Sequence, residues 1–180
     1  ARNMALLRSH GITRDTEYMK NKPSGSWYYE QIELGFNYRM TDIQAALGLS
    51  QLTRLDEFIE RRNFLAQRYN QFLETLPVRC PTILAENRSS FHLYVVRLKT
   101  DQLNNSHRYI FSNLRDNGIG VNLHYMPVHL QPYYRELGFK PGLCKEAELY
   151  SGEAISLPLY PTLTEQEQDK VIDSLSLVLK

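Results

Sequence analysis

Thr41 opens a helical run that only Gly48 interrupts before Pro77 closes it. Its hydroxyl can accept from a first-turn amide, and Gln44, three residues on, can reach back to the Thr41 N–H, which makes a capping box. The expected helix starts at Asp42 and reaches about Thr75. Two patterns share it. Ile43, Ala45, Ala46, Leu47, Leu49 and Leu52 point in every direction, the mark of a helix enclosed on all sides. From Leu55 on, the apolar residues Leu55, Phe58, Ile59, Leu65, Ala66, Tyr69, Phe72, Leu73 and Leu76 fall in an arc of roughly 140°, with Asp56, Glu57, Glu60, Arg61, Gln67 and Gln71 largely outside it. The first half therefore belongs inside something larger or in a dimer interface. The second half belongs to a smaller domain, with a bend or a boundary between Leu52 and Asp56.

A chain of 180 residues holds one good core, or a domain plus a piece of another. Its 42% apolar content is ordinary for a globular protein. With 21 basic and 20 acidic residues the net charge is +1, which gives no electrostatic case for nucleic acid or an anionic membrane. Cys80 and Cys144 form neither a disulfide framework nor a metal spacing, and read as reduced thiols of a cytosolic protein. No apolar run is long enough to span a membrane, and no signal peptide is visible. The first residue is alanine rather than methionine and lies within a helical pattern, so a fragment is expected.

Along the rest of the chain, residues 1–9 read as the end of a helix capped by Gly11, and 13–26 as a polar loop. Residues 27–32 read as a strand or extended segment, 78–88 as a linker, and 91–98 as a strand covered on both faces. Asn105 or Ser106 caps a helix carrying Ile110, Phe111 and Leu114, stopped by Asn117-Gly118. Residues 120–125 form a second expected strand, 132–137 and 145–152 short helices, and 155–157 a third strand. Thr164 and Glu167 make a second capping box, opening a final helix with Val171, Leu175 and Val178 inward. This order, with short connections, is an α+β layer domain.

The segment Leu34-Gly-Phe-Asn-Tyr-Arg-Met-Thr-Asp-Ile-Gln-Ala-Ala-Leu-Gly-Leu-Ser-Gln-Leu, running on through Asp56 to Arg62, resembles the sugar-nucleotide aminotransferases of the DegT/StrS group. The likeness returns at Ser90-Phe-His-Leu-Tyr, at residues 118–129 and at Leu157-Pro-Leu-Tyr-Pro-Thr-Leu-Thr-Glu-Gln-Glu, so it covers nearly the whole chain. The wording of residues 122–139 is most similar to the pseudaminic acid branch, which aminates C4 of a UDP-linked 4-keto-6-deoxy-N-acetyl sugar with glutamate as donor. The resemblance implies a fold-type-I enzyme dependent on pyridoxal phosphate. Residues 1–54 would be a remnant of the large α/β cofactor-binding domain with a dimer-facing helix. Residues 55–180 would be the small C-terminal domain, a small mostly antiparallel sheet with helices. A cytoplasmic homodimer is expected, with no nucleic acid or membrane partner.

Read alone, Asn37 fits a turn, since its side chain mimics backbone. The resemblance gives it another role: an amide that crosses the dimer to hydrogen-bond the cofactor phosphate of the other subunit. Tyr38 and Arg39 flank it as candidate substrate-binding residues. Arg39 is either a surface cation or a planar fork on a diphosphate. His124, Tyr125 and His129, where an expected strand gives way to a loop, are either a packed polar group or a set that binds the nucleotide-sugar. His-His metal binding is disfavoured, as no Cys or acidic ligand accompanies them. His92 reads as a packed strand histidine and His10 as structural.

The implied reaction needs a lysine that forms a Schiff base with the cofactor and an acid on its pyridinium nitrogen. In the family both precede the Ser9-His10-Gly11 stretch, so this chain is expected to contain no catalytic residue and to be inactive alone. Its lysines, Lys20, Lys22, Lys99, Lys140, Lys145, Lys170 and Lys180, match no such context. Two other readings keep their place. One is a dehydratase on the same scaffold, with histidine in place of the lysine; the other is a non-catalytic dimerisation or ligand-binding module.

Overall fold

The computed structural model describes residues 1–180, which divide into two compact units, Ala1–Thr53 and Arg54–Lys180. In the first, α1 (Arg2–Leu7) leads into β1 (Ile12–Thr13), which pairs antiparallel with β2 (Glu30–Gln31). The N–H of Gly11 closes the end of α1 on Leu6 O at 3.0 Å, with Gly11 at φ +69°. The loop between the strands is tied by Glu30, whose carboxylate accepts from the Asn21 N–H at 2.9 Å, the Asn21 amide at 2.7 Å and the Tyr28 hydroxyl at 3.0 Å. α2 (Asp42–Leu52) ends this unit. Its capping box is formed: Gln44 N–H donates to Thr41 Oγ1 at 3.3 Å, and Thr41 N–H donates to Gln44 Oε1 at 3.0 Å.

The expected single helix is two. α2 stops at Leu52, where the Thr53 hydroxyl donates back to Ser50 O at 2.8 Å, and α3 (Leu55–Leu73) starts afresh. A side-chain hydroxyl on that carbonyl competes with the helical ladder. The change falls where the apolar pattern changes.

In the second unit α3 lays Leu65, Ala66, Tyr69 and Leu73 inward, as its one-sided pattern requires. β3 (Val78–Arg79), β4 (Tyr94–Leu98) and β5 (Ala154–Leu157) form an antiparallel sheet in that order. Tyr94, Val96 and Leu98 face the core with Ile155 and Leu157. α4 (His107–Asp116) adds Ile110 and Leu114, and α7 (Glu165–Val178) adds Val171, Ile172, Leu175 and Val178. α5 (Pro132–Glu136) and α6 (Lys145–Glu153) lie between β4 and β5 in sequence. Buried Glu153, at the junction of α6 and β5, accepts from Arg79 at 3.2 Å and Arg97 at 2.8 Å, which ties that junction to β3 and β4.

Four sequence expectations need correction. Residues 120–125 are not a strand: one bridge, Asn122 to Ser156, replaces the ladder, because the Leu123 N–H bonds the Asn122 side chain instead of a neighbouring strand. The linker after Pro77 contains β3, too short for periodicity to reveal. β4 is fully buried on one face only; Val95 and Arg97 on the other are half-buried. His92 precedes the strand and is exposed, so it is not packed within it. α2 buries nothing within this chain: Ile43 is 83% and Leu49 68% exposed.

Candidate functional site

Two sets of candidate residues are found, one in each unit. In the first unit the chain doubles back on itself. His10 (φ +62°) and Gly11 (φ +69°) turn it, and residues 34–38 run antiparallel to 7–11. Phe36 N–H donates to Leu7 O at 2.6 Å, His10 N–H to Phe36 O at 2.8 Å, and Tyr38 N–H to Arg8 O at 2.9 Å. The approach is possible only because both crossing points are glycine. A Cβ on Gly11 would sit 1.9 Å from Glu33 O, and one on Gly35 2.2 Å from Gly11 N.

Asn37 bridges Ser9 in this pairing, so its backbone is held at both neighbours while its side-chain amide makes no bond within the chain and is exposed. Phe36 and Tyr38 stack at 5.0 Å on the same side of the extended segment, which puts Asn37 on the other. Arg39 follows, exposed and in no ion pair. An unspent neutral amide on a fixed backbone, with an unspent guanidinium two residues on, is a donor set suited to a phosphate or diphosphate. The residues present therefore fit an anionic cofactor group, with Asn37 as its most constrained donor. His10 serves this arrangement through its backbone alone; its C=O accepts from the Gln31 amide at 2.9 Å.

In the second unit His124 and Tyr125 stand together, with ring centroids 4.7 Å apart and edge to face. His124 Nδ1 lies 2.8 Å from Ser156 Oγ, and Nε2 lies 3.4 Å from the Asn122 amide. Tyr125 is exposed and His124 half-buried. His129 has different surroundings. It is 8% exposed, and its Nε2 is engaged at 2.8 Å by Glu148, which also accepts the Gly142 N–H at 2.7 Å. These two donors, His129 first, hold the Glu148 carboxyl below its ordinary value. The geometry makes His129 a brace between a short 3-10 turn, Val128–Leu130, and α6.

Asn122, Ser156 and Glu148, which touch the candidate histidines, did not stand out in the sequence. Ser156 had a signal: a polar residue between Ile155 and Leu157, two core positions of a strand. The seven lysines are exposed or, at Lys99, half-buried. No three His, Cys, Asp or Glu side chains cluster so as to hold a metal ion. No helix is long and apolar enough to cross a membrane.

Comparison with known proteins places these observations. The sequence profile of the DegT/DnrJ/EryC1/StrS aminotransferase family matches residues 1–176. The spore coat polysaccharide biosynthesis protein SpsC of Bacillus subtilis is 33% identical over the whole chain, which covers 47% of SpsC. A Streptococcus pneumoniae protein assigned as a sugar aminotransferase, in its PLP form, superposes with a TM-score of 0.84 at 30% identity, covering 98% of this chain and 42% of that one. Helicobacter pylori PseC, an aminotransferase involved in the biosynthesis of pseudoaminic acid, gives 0.84 at 27% identity, covering 99% of this chain and 45% of that one. The chain thus spans about half the length of the relatives it matches. Solved forms with PLP and with PMP mark pyridoxal phosphate as the cofactor of these enzymes. With the profile matched almost end to end and the same fold in the solved enzymes, this chain belongs to the DegT/DnrJ/EryC1/StrS aminotransferase family.

Proposed function

We propose that the chain is the C-terminal part of a cytoplasmic, homodimeric aminotransferase. It would transfer an amino group from glutamate to the C4 keto group of a UDP-linked 4-keto-6-deoxy-N-acetyl sugar. Similarity to PseC supports the pseudaminic-type substrate, and similarity to SpsC a role in polysaccharide biosynthesis. Residues 1–54 belong to the large domain and its dimer-facing helix, and 55–180 form the small domain.

Bound pyridoxal phosphate supplies the electron sink and carries the amino group between the two substrates. This chain's part is to bind and orient. The observation that carries the reading is Asn37: its backbone is fixed against Arg8 and Ser9, its amide is unspent, and the helix that follows is uncovered. In the dimer that amide donates to the cofactor phosphate of the other subunit. Arg39 donates in pairs to phosphate or diphosphate oxygens, and Tyr38 offers a phenol and a ring face beside it. His124 and Tyr125 hold sugar hydroxyls, while His129 keeps their loop in place through Glu148. The reactive lysine lies on the part of the parent protein that precedes Ala1.

In the full-length holoenzyme, Asn37→Ala is expected to raise the dissociation constant for pyridoxal phosphate by about 10- to 100-fold, the worth of one hydrogen bond to a charged group. The measurement is equilibrium titration followed by absorbance. Unchanged affinity would remove Asn37 from the site. In the 180-residue chain, a stable visible band with added cofactor, lost on mutating one of its seven lysines, would refute the placement of the reactive lysine elsewhere.

A further inference from the structure

The bonds behind His124 fix more than its position. Ser156 sits in β5 between Ile155 and Leu157, which enter the core; its own side chain turns to the opposite face, and the residue is only 4% exposed. Its strand neighbours are Val95 of β4 on one side and Asn122 on the other. The side-chain partner of this buried hydroxyl is His124 Nδ1, at 2.8 Å. At the other end of the ring, Asn122 Nδ2 approaches Nε2 at 3.4 Å. The direction of the Asn122 amide is set independently. Its Oδ1 accepts the Leu123 N–H at 2.8 Å, so the NH2 group is the part that faces the imidazole. An NH2 group donates and cannot accept. Nε2 is therefore the nitrogen with the lone pair, the ring proton is on Nδ1, and Ser156 Oγ receives it.

We infer that Asn122 and Ser156 are positioning residues that hold His124 as its Nδ1–H tautomer, so that Nε2 accepts a hydrogen bond from a hydroxyl of the sugar. The contact from Asn122 is long and leaves that lone pair only partly used. A sugar hydroxyl can donate to it. A diphosphate at neutral pH has no proton to give and would need a donor there. The network thus assigns His124 to the sugar rather than to the diphosphate. The hydroxyl contact rests on the proposed placement of His124 at the substrate; the tautomer does not.

The tautomer is read in the full chain carrying 15N-histidine, by long-range 1H–15N correlation at about pH 8.5, where imidazole is ordinarily neutral. His124 is identified by loss of its signals in His124→Gln. The expected pattern is Nδ1–H. Asn122→Asp sets a carboxylate, which only accepts, against Nε2 and moves the proton there. Ser156→Ala mixes the two tautomers and Ser156→Thr restores the first, with backbone spectra reporting that each variant is folded. An Nε2–H in the unaltered protein, or a pattern indifferent to Asn122→Asp, overturns the inference whatever His124 touches.

The substrate contact is read separately in the holoenzyme. Ser156→Ala is expected to raise KM for the nucleotide-sugar about tenfold, by more than it lowers kcat, with recovery in Ser156→Thr. If His124→Gln leaves that KM unchanged while the tautomer pattern holds, the hydroxyl contact is overturned and the proposed site loses His124.

Discussion

α2 and α7 begin with the same device and end in opposite surroundings. Each opens on a threonine whose hydroxyl takes the N–H three residues on, and each returns a side-chain oxygen to the threonine N–H. α7 then buries Gln168, Val171, Ile172, Leu175 and Val178, whereas α2 buries nothing. The apolar residues of α2 are no fewer, but they are spread round the helix, and nothing within the chain covers them. The cap is a local property that three or four residues decide. Burial is decided by what the rest of the assembly provides. On the proposed function, the apolar residues of α2 find their stabilising contacts in the dimer.

The sharpest way to break the comparison is to charge both helices. If the proposed dimer forms through α2, Ile43→Asp with Leu47→Asp is expected to weaken self-association at least about 1,000-fold, roughly 4 kcal/mol, because carboxylates without partners would be sealed in the interface. Urea unfolding of the second unit should stay where it was. Sedimentation equilibrium gives the first quantity and tyrosine fluorescence the second. A double variant that associates as before would show that α2 is not the covered surface.

The converse change is Leu175→Ala in α7. Leu175 is fully buried in the core, on a helix packed against α3 and α4, so its truncation should cost about 3 kcal/mol of unfolding free energy through lost transfer and an unfilled cavity. Association through α2 should be unaffected. Leu49→Ala, at a position 68% exposed within the chain, should stay within about 0.5 kcal/mol in the dissociated protomer. If the two substitutions cost the protomer equally, α2 has a partner inside the chain.

What the sequence made legible divides along the same line. Both capping boxes, the stop at Asn117-Gly118 and the inward residues of α7 depend on near neighbours and were readable. The break at Thr53 was readable as a change of pattern, though the hydroxyl that terminates α2 was not. β1, β2 and β3 have two residues each, too few to carry a period, and exist because a partner strand lies alongside. The site divides in the same way. Asn37, Tyr38, Arg39, His124 and Tyr125 stood out by residue type in a motif. Ser156 meets His124 across 32 positions of sequence, and Glu148 meets His129 across 19, so these bonds needed the fold. His129 is the instructive case: its imidazole suggested ligand binding, and the burial against Glu148 that bears on that reading is invisible until the chain is folded.

A smaller effect tests whether the two caps are equivalent. Thr41→Ala and Thr164→Ala should each lower helix stability by about 1 kcal/mol, since each removes an oxygen that serves a first-turn amide. Amide exchange of Gln44 and Glu167, whose N–H groups lose their acceptor, measures this residue by residue. Strongly unequal losses would mean that tertiary burial of α7 reaches back into its first turn, and the cap would then not be local.

The smallest effect separates the caps by pH. Their third residues differ: Gln44 cannot titrate, while Glu167 can. The Glu167 carboxyl is held below its ordinary value, first by the Thr164 N–H and then by the Thr164 hydroxyl, each at 2.9 Å, with Lys170 adding to the effect. A depressed carboxyl pKa contributes stability that is present above the unfolded value and is lost as pH falls through the folded one. Acidification below the ordinary carboxylate range should therefore strip exchange protection from the Thr164 N–H while its counterpart at Thr41 keeps its bond to Gln44. Glu167→Gln should make the two boxes alike, with protection at Thr164 no longer falling in acid. If Thr164 still loses protection in that variant, the acid-sensitive group lies elsewhere in the second unit, and the likeness of the two boxes ends at their threonines.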